Sequence, residues 1–89
     1  MTDADIEERI FALLSVRRPG ATICPSEVAR SLAPDGGAWR KSMPRVRQIA
    51  QALVQQRRLR VTRDGVAVAD ATAPGGPIRL GLPEGQGGT

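Results

Sequence analysis

The dipeptide Asp64-Gly65 constrains this chain more than any other feature, because of what flanks it. Leu59-Arg60-Val61-Thr62-Arg63 on one side and Val66-Ala67-Val68 on the other alternate across two residues suited to positive φ, the signature of a two-residue type I′ hairpin. That loop length sets Val61 opposite Val68, so both valines point to one face and can pack onto helices.

Three helical segments precede the hairpin. Ile6, Ile10, Leu13 and Leu14 fall at i, i+4, i+7 and i+8, one buried stripe. Thr2, Asp3 or Asp5 can cap its first amides, Arg17 and Arg18 suit its negative end, and Pro19-Gly20 stops it. Ala21-Thr22-Ile23-Cys24 offers one rung at the edge of a sheet. Pro25 opens a second helix with Glu27 in its first turn and Val28, Ala29 and Leu32 on its buried side. Ala33-Pro34-Asp35-Gly36-Gly37 reads as a loop. Trp39, Met43, Val46, Ala50 and Leu53, spaced 4-3-4-3, define a third and longest helix. Its start is expected between Ala38 and Lys41, where Pro44 falls in or just after the opening turn and costs little.

These elements give an α+β chain in the order α1-β1-α2-α3-β2-β3, that of a winged helix with a helix-turn-helix. Ile78, Leu80 and Leu82 suggest one further C-terminal strand that could cover the core. Residues 1–80 are expected as one winged-helix domain and residues 81–89, Gly-rich and poor in apolar side chains, as a flexible tail. A domain of this size buries only about 60% of the surface its unfolded chain exposes, so its core is small.

Charge carries the functional signal. Thirteen Lys and Arg residues stand against nine acids, with no His. The first sixteen residues hold four of the acids, whereas the stretch from Gly36 to Arg63 holds eight basic residues and no acid. Something outside that run must balance it. On a helical wheel the face of the third helix opposite its apolar stripe carries Lys41, Pro44, Gln48, Gln51 and Gln55, with Arg40 and Arg47 on one margin and Arg45 on the other. Glutamine amides suit adenine edges, and marginal Arg and Lys suit phosphates on either side. A merely solvated face would mix signs and gain from opposite-charge pairs, which are missing here. Arg47, near the apolar stripe, fits a phosphate or an internal pair with Glu27 equally well. Arg58, Arg60 and Arg63 lie in and beside the short wing and are expected to grip backbone rather than read bases.

The expectation is therefore a non-enzymatic, weakly sequence-specific nucleic-acid-binding module, for duplex DNA, such as a bacterial transcriptional regulator uses. Its candidate site is Arg40, Lys41, Arg45, Arg47, Gln48, Gln51, Arg58, Arg60 and Arg63. If roughly four to six of these meet phosphates, the slope of log K against log salt is about −4 to −5. The alternative partner is an acidic protein bound by the same basic surface. Without His, and with one Cys, the chain lacks the usual general base and any disulfide or zinc set, so no catalytic residue, metal or cofactor is expected. Cys24 reads as a small buried residue beside Ile23, and Trp39 as a core anchor rather than a stacking platform. An acidic N-terminus and the lack of a membrane-length apolar run point to a cytoplasmic protein. Phe11, off the main stripe of the first helix, either meets the C-terminal segment or marks a homodimer contact.

Cys24-Pro25-Ser26-Glu27-Val28-Ala29-Arg30, then Trp39-Arg40 and Met43 with Val46-Arg47, Val61-Thr62 with Gly65, and Gly76-Pro77-Ile78-Arg79-Leu80 resemble an uncharacterised family of small bacterial proteins known as a domain of unknown function. The resemblance spans nearly the whole chain and implies a winged-helix-like architecture. It supplies no catalytic residue. Where family members carry Gly ahead of the first hairpin strand, this chain has Arg57-Arg58.

Overall fold

A computed structural model describes residues 2–33 and 37–83. The first helix, α1 (Asp3–Ser15), begins where its caps compete and Thr2 prevails. The Thr2 hydroxyl accepts from the Asp5 amide at 3.1 Å, and the Asp5 carboxylate accepts from the Thr2 amide at 2.9 Å. This reciprocal box satisfies two otherwise orphaned donors. Those hydrogen bonds from Thr2, its amide foremost, favour the charged carboxylate and hold Asp5 below its ordinary pKa. The helix ends at Ser15, short of Pro19-Gly20, so Arg17 and Arg18 follow it rather than close its last turn.

Strand β1 (Thr22–Ile23) leads into α2 (Pro25–Leu32), whose Pro25 opens it as expected and is itself buried. Glu27 accepts from the Cys24 amide at 3.3 Å, and the Ser26 hydroxyl donates to the Cys24 sulfur at 3.0 Å. Of the expected loop 33–37, residues 34–36 lie outside the described residues. Helix α3 (Trp39–Gln55) starts inside the expected window. Pro44 falls in its second turn, where it returns no amide to the Arg40 carbonyl. The helix closes in a Schellman arrangement. The Arg58 amide donates to the Leu53 carbonyl and the Arg57 amide to the Val54 carbonyl, both at 2.9 Å. Arg57 takes the left-handed position at φ 60°, where glycine is the easier residue.

Strands β2 (Arg60–Arg63) and β3 (Val66–Ala67) form the hairpin, with Arg63 paired to Val66 and positive φ at both Asp64 (52°) and Gly65 (81°). The Val68 amide donates to the Val61 carbonyl, setting these two valines opposite each other. The C-terminal segment does more than cover the core. Strand β4 (Arg79–Gly81) inserts between β1 and β2, giving an antiparallel sheet in the order β1-β4-β2-β3. Register then aligns Ile23, Leu80 and Val61, all buried, in one row across three strands. Ile6, Ile10, Val28, Val46, Leu53 and Ile78 complete the core from the helices and the β4 approach. Among the described residues the fold is thus a small α+β domain of three helices on a four-stranded antiparallel sheet. Of the stretch 81–89 expected as a tail, Gly81 is buried in β4, residues 82 and 83 are described, and 84–89 lie outside the described residues.

Candidate nucleic-acid interface

The basic residues that are contiguous in sequence separate in space by what holds them. Arg40 and Lys41 occupy the first turn of α3, both exposed. Like charge at the positive end of a helix dipole is unfavourable. The preceding Ala38 offers no side chain to the first amides. Arg40 lies with its guanidinium over the Trp39 ring, 4.5 Å from the centroid, and Arg30 from the end of α2 lies over the same ring at the same distance. Trp39 is half-buried against the core, so its anchoring role holds while its ring also positions two cations. The side chains of Lys41 and Arg47 have no hydrogen bond or ion pair among the described residues.

Arg40, Met43, Pro44, Arg47 and Gln48 line one wall of a shallow groove, and Thr72 from the connection between β3 and β4 lines the other. That connection is fixed. Asp70 accepts from the Thr72 hydroxyl at 2.6 Å and from its amide at 2.9 Å, contacts that pull the Asp70 carboxyl below its ordinary pKa, the hydroxyl foremost. With its proton given to Asp70, the Thr72 hydroxyl can serve an incoming group as an acceptor.

The remaining candidates are engaged. Arg45 grips Asp3 of α1 with both arms, Nε to Oδ1 at 2.7 Å and Nη2 to Oδ2 at 2.5 Å, and also donates to Gln48 at 3.0 Å. Gln51 donates to the Ala69 carbonyl at 3.1 Å and accepts from the Ala71 amide at 2.7 Å, so its amide holds the β3–β4 connection against α3. Arg58 pairs with Glu7 at 3.2 Å and lies over Phe11. Arg60 donates to the Leu82 carbonyl at 3.3 Å. Arg63 donates to the Gly76 carbonyl at 3.1 Å and folds against Gly75, where an added Cβ would stand 2.6 Å from the guanidinium carbon. Its Nη2 is buried without a hydrogen-bond partner among the described residues.

The choice left open for Arg47 resolves against Glu27. Arg17, just past the end of α1, takes that carboxylate at 2.6 Å. The acids that the basic run lacks are supplied by α1, through Asp3 and Glu7. Sequence reasoning missed Arg30 and Thr72. The first was signalled by its place in the last turn of α2, next to the start of α3; the second is brought to α3 by the hold of Gln51 on Ala69 and Ala71, far off in sequence. Among the described residues, no group of three or more His, Cys, Asp or Glu side chains could hold a metal, and no helix is long and apolar enough to cross a membrane.

The architecture and this surface define a small α+β domain carrying an open basic face at one end of its longest helix. The chain belongs to the family described as "Protein of unknown function (DUF3253)", which matches residues 3–83. No curated protein matches it.

Proposed function

We propose that this domain is a winged helix that binds nucleic acid, duplex DNA in particular, through the first half of α3 rather than through the hairpin. The observation that carries this reading is the grouping of Arg40, Lys41 and Arg47 on α3 with no ion pair among the described residues, at a helix start whose amides lack a side-chain cap. A phosphate relieves both deficits at once, pairing the cations and accepting from free amides. Gln48 follows Arg47 in sequence and lines the same groove, where it can reach a base edge. The hairpin supplies the wing, but Arg63 is folded back onto Gly76 and the tip carries Asp64, so the wing adds little grip.

Binding is therefore electrostatic and weakly selective. With about three phosphate contacts the slope of log K against log salt is about −2.7 for duplex DNA, shallower than the nine-residue candidate set implies. Fluorescence anisotropy with a random duplex tests this: affinity falls about 40-fold between 50 and 200 mM salt. A salt-independent affinity, or no binding by the folded protein at the lower salt, overturns the reading.

A further inference from the structure

The other end of α3 has a different character. Two adjoining hollows share Arg57 and Pro83. Phe11 and Leu82 floor the first, and Val54 and Val68 floor the second. Leu82 is 49% exposed, one of the few large apolar side chains so open among the described residues. Among the described residues, every charged one lining either hollow is an arginine: Arg57, Arg58 and Arg60. Phosphate binding has no use for an apolar floor, and an ordinary solvated rim would carry both signs.

Arg57 adds an independent observation. It sits at φ 60°, a conformation that costs a non-glycine residue free energy, and its guanidinium has no hydrogen bond or ion pair among the described residues. The strained position thus presents a cation at the lip shared by both hollows. Arg60, by contrast, is held by the Leu82 carbonyl, which fixes a second positive group along the rim, and Arg58 is paired there with Glu7.

From this we infer that the groove at the C-terminal end of α3 is a docking surface for an acidic segment of another protein, one that alternates carboxylates with aliphatic or aromatic side chains. The apolar side chains fill the two hollows and the carboxylates meet the arginine rim. A basic segment is repelled, and a purely acidic one leaves the hollows empty. The surface lies about 25 Å, the length of a 17-residue helix, from the start of α3. The inference does not rest on the nucleic-acid reading and can fail separately from it.

The full chain, isotopically labelled, is titrated by NMR with a short synthetic peptide alternating Asp with Leu and Phe, alongside two controls in which Lys replaces Asp or Ser replaces Leu and Phe. The alternating peptide shifts Phe11, Val54, Val68 and Leu82 at concentrations up to about 1 mM, and neither control does. Leu82→Ser, which alters a half-exposed side chain outside the sheet, weakens binding about tenfold. Arg57→Gly, which relieves the backbone while removing the cation, weakens it about threefold. Arg40→Glu with Lys41→Glu leaves it unchanged within about twofold. Absence of shifts, equal binding by either control, or shifts confined to the start of α3 overturns the proposal. So do shifts of Phe11 and Leu82 on concentrating the protein alone, which put a second copy there, or their shift by duplex DNA.

Discussion

The arginines at the start of α3 and those around its end are the same residue type, yet the fold treats them oppositely. Arg40 and Arg47 have no ionic partner among the described residues, whereas Arg58, Arg60 and Arg63 are tied to Glu7, Leu82 and Gly76. Arg45 belongs with the second group although its neighbours in sequence belong to the first, because Asp3 reaches it across 42 positions. Positive charge counted along a chain overstates the charge a ligand can use. What a partner meets is the part that the protein has not already neutralised, here the first half of α3 and the lip at Arg57.

Charge reversal makes the sharpest cut between the two groups. Arg40→Glu with Lys41→Glu lowers duplex affinity about 100-fold at low salt, since two phosphate contacts become repulsions. Thermal unfolding is little changed, as neither residue has an ion pair to lose and the stacking of Arg40 on Trp39 is offset by placing acids at the positive end of the helix. Arg60→Ala in the tied group does the reverse, costing stability and moving affinity by less than about threefold. If both variants weakened binding alike, the division of the arginines would collapse.

The glutamines test the same division with a smaller effect. Gln51→Ala removes the donor to Ala69 and the acceptor for the amide of Ala71, a fully buried residue, and destabilises the fold by about 1–2 kcal/mol. Gln48→Ala, on an exposed side chain of the same helix face, changes stability by less than about 0.5 kcal/mol. Chemical denaturation of the two variants measures the difference. Equal midpoints would mean that the β3–β4 connection does not depend on Gln51.

Local signals carried the sequence reading where chemistry is local. The Asp64-Gly65 turn, the Val61–Val68 pairing, the start of α3 and the opening of α2 at Pro25 all follow from residues within a few positions of one another. The failures are all long-range or competitive. Nothing around Arg79 announces that β4 lies between β1 and β2, because strand order is decided by packing of distant segments. Gln51 looks identical to Gln48 on a helical wheel, and only the loop twenty residues on separates them. Glu27 had two basic suitors, and the early end of α1 gave it to Arg17. The uncharacterised family was legible from motifs along the chain, whereas the open charge required coordinates.

Arg57 carries the comparison into the backbone. Replacing it with glycine stabilises the domain by about 0.5–1 kcal/mol, because the C-terminal closure of α3 needs a left-handed residue that glycine supplies without a Cβ penalty. That sign is unusual for a mutation and easy to disprove by thermal melting. A destabilised Arg57→Gly would show that the guanidinium itself contributes to the fold, and would move Arg57 into the tied group.

The smallest effect is the most direct test of internal neutralisation. Asp3→Asn takes the charge from the carboxylate that occupies Arg45 while keeping an oxygen that can accept one hydrogen bond. Both partners are about half exposed, so the pair contributes less than about 1 kcal/mol to stability and the fold survives its loss. What changes is the charge available on α3. Arg45 stands beside Gln48, within reach of the same bound strand, and once released it adds one phosphate contact. Duplex affinity at low salt rises about two- to threefold, and the salt slope steepens by about 0.9. The slope is the decisive reading, since removing any acid raises affinity through long-range attraction but only a new phosphate contact adds a full increment. An unchanged slope would leave Arg45 outside the interface even when free.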